Sequence, residues 1–210
     1  EGLRPDRRVR PFVDLIVLAT RNEGKARELA LLLEGLARRF ESLGAHPRVA
    51  LPPETGSTYR ENALRKARAV QEALRVPALG DDSGLEVDAL AGAPGIRSAR
   101  YAGEDATDRA NNEKLLRELA LVSADLRTAR FRCALALVRG PGDEVVVEGT
   151  CEGHILDGPR GTGGFGYDPL FFPEGESRSF AELPDDRKNA ISHRALAAQA
   201  LRRALDAARA

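Results

Sequence analysis

The scarcities in this chain narrow its chemistry before any motif is considered. It has two cysteines, Cys133 and Cys151, and three scattered histidines, His46, His154 and His193. None is spaced as a zinc site requires, and no HExxH pair occurs. Both cysteines fall in stretches that read as strands. The expectation is two buried thiols in a reducing cytoplasm, not a cross-strand bridge. No apolar run is long enough to cross a bilayer, and Val13 to Ala19, the longest near the start, is far too short. Charge of one sign is also missing. The 32 basic and 32 acidic residues cancel, so no global field recruits nucleic acid or an anionic membrane, and any attraction for an anion must be local. Two phosphate-binding signatures are absent: GxxxxGK[ST], and GxGxxG after the first strand. The arginine-rich start is followed by no secretory apolar segment. Residues 1–12 read as an extension to one domain over residues 13–210.

Strands and helices alternate in the first half, and strands cluster in the second, which predicts a mixed α/β sheet. Val13–Ala19 reads as a buried strand, followed by a helix over about Glu23–Ala37 with a leucine stripe. Phe40–Leu43 reads as a strand. Thr58 and Glu61 fit a capping box opening a helix to about Leu74. Ala78–Gly80 and Leu85–Val87 read as short strands around Asp81-Asp82-Ser83-Gly84. A helix over about Ala106–Leu121 follows. Arg130–Val138 and Glu144–Gly149 form a hairpin across Pro141-Gly142-Asp143. An alanine- and leucine-rich helix runs from Ser192 to the end.

Lysine is also rare, with only Lys25, Lys66, Lys114 and Lys188 among the basic residues. A lysine kept against such an arginine bias marks a place for a compact ammonium. Lys25 follows a strand-to-helix turn, where anions bind, and Thr20 and Asn22 of that turn offer hydrogen bonds to phosphate or a helix cap. Lys66 shares a helix face with Asn62. Lys188 reads as part of a polar loop, and Lys114 as a solvated surface residue. Asp81 and Asp82 are adjacent carboxylates that an extended chain sends to opposite faces, one to a cleft and one to brace structure. Such oxygens suit Mg²⁺ bridging substrate phosphates, with Glu54 as a second carboxylate. Five glycines crowd the segment 158–166, with Phe165, Tyr167 and Asp168 threaded through its end. Bare amides and an aromatic there can cradle phosphate or receive a base. His193-Arg194 opens the last helix, where cations are disfavoured, which hints at a functional placement.

Taken together, Thr20-x-Asn22-x-x-Lys25, Glu61-Asn62-Ala63-x-x-Lys66-Ala67, Asp81-Asp82-Ser83-Gly84-Leu85, Gly92-Ala93-Pro94-Gly95-Ile96, Ser98-Ala99-Arg100-Tyr101, Gly161–Pro169 and Ser192-His193-Arg194 resemble the inosine triphosphate pyrophosphatase family. The resemblance runs from about Leu15 to the C-terminal helix. It implies a mixed α/β fold with a long curved central sheet and two lobes around a nucleotide-binding cleft. It also implies a homodimer and Mg²⁺-dependent hydrolysis of a non-standard purine nucleoside triphosphate (ITP, dITP or XTP) to monophosphate and pyrophosphate. By position, Asp82 would be the general base, and Glu54 with Asp82 would hold the metal. Thr20, Arg21, Asn22, Glu23, Gly24, Lys25, Lys66 and Ser83 would hold the triphosphate. Phe165, Gly166, Tyr167, Asp168, Lys188, His193 and Arg194 would hold the base. Arg21 departs from the small residue usual there, and should point away from phosphate or add a charge to it. The alternatives are a Maf-like pyrophosphatase for other nucleotides and a non-catalytic nucleotide sensor.

Overall fold

The computed structural model describes residues 13–208. The proposed extension over 1–12 therefore lies outside the described residues. A curled six-stranded sheet has the order β2-β1-β3-β4-β5-β6. β1 (Val13–Leu18), β2 (Ala37–Ser42) and β3 (Ala78–Val87) are parallel. β4 (Thr128–Gly140), β5 (Asp143–Ile155) and β6 (Phe171–Pro173) continue the sheet antiparallel. The sheet is mixed, as the pattern predicts.

Its first helix, α1 (Glu23–Leu32), stops short of the predicted Ala37. Gly35 takes a left-handed φ of +87°, and Ala37 already pairs with Val13 in the sheet. α2 (Tyr59–Leu74) begins as read: the Thr58 side chain accepts from the amide of Glu61. The Glu61 carboxylate accepts from the amide and hydroxyl of Ser57. α3 (Asp108–Glu118), α4 (Asp185–Ile191) and α5 (His193–Ala207) complete the helices. The hairpin is longer than predicted and takes in both cysteines, which are buried and unbridged.

The largest difference from the sequence reading is at Asp81–Gly84. These residues do not separate two short strands. They lie inside β3, paired continuously with β4 from Ala78 to Val87. On one face of the sheet Leu79, Cys133, Leu135 and Leu137 pack with α1 and α5. Farther along that face Leu85, Val87, Phe131 and Phe171 form a second cluster with α3. Asp81 and Ser83 stand between the two clusters, so the apolar face is parted where polar groups enter. On the other face small residues, Ala134 and Ala136, let α2 lie close, with Ala63 and Ala67 against them. No helix among the described residues is long and apolar enough to cross a membrane.

Candidate active site

β3 organises the site because alternate side chains of a strand pass to opposite faces. Asp82 turns toward α2. Gly80 brings that helix down, since an added Cβ would overlap the carbonyl oxygen of Ala63. At this spacing Asn62 Nδ2 donates to Asp82 Oδ2 at 3.0 Å, and Lys66 Nζ lies 3.3 Å from Asp82 Oδ1. The same ammonium donates to Glu54 Oε1 at 2.8 Å. Arg100 Nη1 reaches Glu54 Oε2 at 3.0 Å, and Arg100 Nη2 donates to the Glu54 carbonyl at 3.2 Å.

The two carboxylates are pushed apart in proton affinity. Burial raises Asp82, Lys66 only partly opposes that, and the Glu54 charge adds to the rise. Burial also works to raise Glu54, but Lys66 and Arg100 outweigh it and hold Glu54 below its usual range. Burial opposes the charge of Lys66, yet Asp82, Glu54 and Asp81 together keep the ammonium above its ordinary value. One carboxyl is thus suited to accept a proton while its neighbour stays ionised.

On the opposite face Asp81 is buried between two cations. Lys25 Nζ sits 3.0 Å from Asp81 Oδ2 and Arg194 Nε 3.5 Å from Oδ1. Burial would raise this carboxyl, but Lys25, Arg194 and Lys66 bring it far below the usual range. Arg194 Nη2 donates to Ser83 Oγ at 2.7 Å, and Arg194 Nη1 meets Glu28 Oε2 at 3.3 Å. The turn before α1 is folded on itself. Thr20 Oγ1 accepts from the amide of Asn22, and Asn22 Oδ1 caps the helix by accepting from the amide of Lys25.

Beyond Ser83 lies a cavity of about 110 Å³ lined by Phe131, Phe165, Tyr167, Asp168, His193 and Arg194, with Asn22 and Lys25 at its edge. Gly24 lies close beneath the Phe165 ring; a Cβ there would touch it at 3.5 Å. The His193 ring stacks on Phe131 with centroids 4.6 Å apart and planes 11° apart. Its Nδ1 is buried without a protein partner. Burial, reinforced by Arg194, pushes His193 well below its ordinary value, so the ring is neutral at neutral pH. A neutral histidine removes most of the conflict of a cation at this helix start. Arg194 is held by Asp81 and Glu28 instead. Asp168 Oδ2 accepts from the Phe165 amide at 2.9 Å and from Lys188 Nζ at 2.6 Å. Burial raises the Asp168 carboxyl against the pull of Lys188.

The structure brings Asn22, Lys25, Ser83, Phe165, Gly166, Tyr167, Asp168, His193 and Arg194 around one cavity. Lys66, Asp82 and Glu54 gather on the other face of β3. Two predicted ligands are engaged elsewhere. The Arg21 guanidinium points away, donating to the carbonyls of Leu43 and Val49 at 3.3 and 2.7 Å. Glu23 accepts from Ser42 Oγ at 2.8 Å. Lys188 lies in α4, not in a loop, and Lys114 is not merely solvated: it donates to the Tyr101 carbonyl at 2.8 Å and sits 4.1 Å over that ring. Sequence reasoning gave no role to Arg100 or Phe131. Arg100 stands in the quoted Ser98–Tyr101 motif, which was the signal available.

Among the described residues no three or more His, Cys, Asp or Glu side chains converge as a metal cluster. The pair Glu54 and Asp82 fits Mg²⁺ differently. Mg²⁺ is commonly bound through one or two carboxylates together with substrate phosphates and water, and these two are close enough to share one ammonium.

A sequence model of the Ham1 family matches residues 16–204. A dITP/XTP pyrophosphatase of Geobacter sulfurreducens is 53% identical over 179 residues, covering 85% of this chain and 90% of that protein. Another, of Streptomyces coelicolor, is 50% identical over 188 residues, covering 89% and 94%. Among solved structures, a HAM1 protein from Coxiella burnetii superposes with a TM-score of 0.82 at 42% identity, covering 92% of this chain and 98% of that one.

Proposed function

Because this chain belongs to the Ham1 family, we propose that it hydrolyses non-standard purine nucleoside triphosphates (ITP, dITP and XTP) to the monophosphate and pyrophosphate. The observation that carries this reading is the division of labour across β3. A lysine-and-carboxylate cluster lies on one face, and a donor-rich aromatic cavity lies at the seam on the other.

In this reading Asp82 accepts a proton at a carboxylate oxygen from the water that attacks the α-phosphorus. The bond from that phosphorus to the bridging oxygen breaks, and pyrophosphate leaves. Asn62 fixes the Asp82 carboxylate, while Lys25 and Lys66 offset the charge on the phosphates, so positioning and electrostatics supply the acceleration. Glu54 and Asp82 would hold Mg²⁺, which when bound neutralises phosphate charge. Hypoxanthine and xanthine present a carbonyl at C6. Arg194 and Lys188 are donors, so adenine's amino group would leave buried donors unpaired, a discrimination worth roughly 10⁴-fold. Two unbridged buried thiols support a reducing, cytoplasmic location. The homodimer is proposed on the family resemblance and is tested by sedimentation.

The test of function is pyrophosphate release from ITP, XTP, dITP, GTP and ATP, with Mg²⁺ and with EDTA. Mg²⁺-dependent turnover favouring ITP and XTP over ATP, lost by about 10²-fold or more in Asp82→Asn, is expected. Absence of turnover with every purine from a folded protein would sink the reading.

A further inference from the structure

α3 holds both backbone polar groups of one residue of the glycine loop, Gly166. Gly166 donates its N–H to Asp108 Oδ2 at 2.7 Å, and its carbonyl accepts from Asn112 Nδ2 at 2.9 Å. Asp108 and Asn112 are four positions apart on α3 and so share one face. Gly166 has a φ of +63°, and an added Cβ would meet nothing within 4 Å. It is the conformation that favours glycine here, not lack of room. Glycine has the most backbone freedom to lose, and here one helix holds both of its polar groups.

The helix is itself anchored. Asn111, between the two clasp residues, accepts from the Ala102 amide at 2.8 Å and donates to the Ala99 carbonyl at 3.1 Å. Tyr167 ties the loop to that same segment through its bond to the Ser98 carbonyl at 2.8 Å. Phe165, next to Gly166, is held on its other side by Asp168. Its ring faces both Arg194 and Lys188, each 5.1 Å from the centroid.

We infer that Asp108 and Asn112 are positioning residues for purine binding. They clasp Gly166 from both sides and hold the Phe165 ring as a preformed wall of the base cavity. Without them the loop must be ordered by the incoming base, which weakens binding of the base and leaves the phosphate end untouched. The inference rests on the functional reading above, and its test separates the two.

IMP, which carries the base, and inorganic tripolyphosphate, which does not, are titrated calorimetrically into the parent and into a D108A/N112A variant. IMP affinity should fall about tenfold, the scale of re-ordering one or two backbone residues. Tripolyphosphate affinity should stay within about twofold of the parent's, and thermal unfolding should move by only a few degrees. Asp108→Asn, which keeps an acceptor oxygen for the Gly166 amide, should bind IMP nearly as the parent does. Unchanged IMP binding in the double variant would overturn the clasp, as would equal losses for IMP and tripolyphosphate. A parent that binds no IMP and releases no pyrophosphate from ITP sinks the functional reading and the clasp with it. An active parent with an unaffected variant sinks the clasp alone.

Discussion

Asp81 and Asp82 are neighbours in sequence yet serve opposite faces of β3. Asp81 is buried between Lys25 and Arg194, and Asp82 between Lys66 and Asn62. The strand sends them to different partners: Lys25 and Arg194 hold Asp81, with Lys66 adding to them, whereas Lys66 alone among the cations opposes the burial of Asp82. The strongly depressed Asp81 and the raised Asp82 follow from that difference.

Lys66 moderates the proton affinity of Asp82, so its removal has a defined sign. Lys66→Met leaves burial and the Glu54 charge to raise Asp82 further. The acid limb of the kcat/KM profile for ITP, with Asp82 as the proposed base, should move to higher pH, alongside a higher KM. An unmoved acid limb would assign it to another group.

Gly80 sets the depth at which α2 rests on the sheet. Gly80→Ala places a methyl on the backbone oxygen of Ala63, which no side-chain rotation relieves. A loss of about 1–3 kcal/mol in urea unfolding is expected. Lys66 and Asn62 retreat with the helix, so kcat should fall even under conditions where the variant is fully folded.

His193 contributes to acid sensitivity. Its folded-state affinity for protons is well below the ordinary value of 6.5. The stabilisation this gives is present above pH 6.5 and is lost as pH falls toward the lower folded value, because the unfolded chain takes up the proton first. Between about pH 6.5 and 5, the parent should lose stability more steeply than His193→Gln. Parallel stability curves would show that the ring titrates normally.

Arg21→Gly removes two hydrogen bonds to the carbonyls of Leu43 and Val49. It should cost about 1 kcal/mol of stability and leave turnover of ITP within about twofold, the margin expected for a group that does not touch substrate. A large rise in KM would instead give Arg21 a part in phosphate binding.

The sequence made the polar groups legible wherever local pattern carries them. Asn22 as a cap, Thr58 as a cap, and Asp81 and Asp82 on opposite faces all follow from spacing. Asp81–Gly84 reads as a break between two short strands because acids and glycine are depleted from strands. Here Lys25, Arg194 and Lys66 compensate the acids, and Gly84 admits the Gly95 carbonyl against a central strand. β6 and α4 are too short to show a period. Contacts such as Arg100 to Glu54 and Asp108 to Gly166 join residues 46 and 58 positions apart, so only the folded chain reveals them.

β3 also acts as a ruler. It is paired with β4 along its whole length, so the separation between Asp81, Asp82 and Ser83 is set by covalent geometry at about 3.3 Å per residue. The groups proposed to read the base and those proposed to meet the phosphates are referred to one rod. They can tilt about it but cannot slide along it. In the proposed function a nucleotide would be measured along its length, and any adjustment to its shape would fall to the loops hung from the strand.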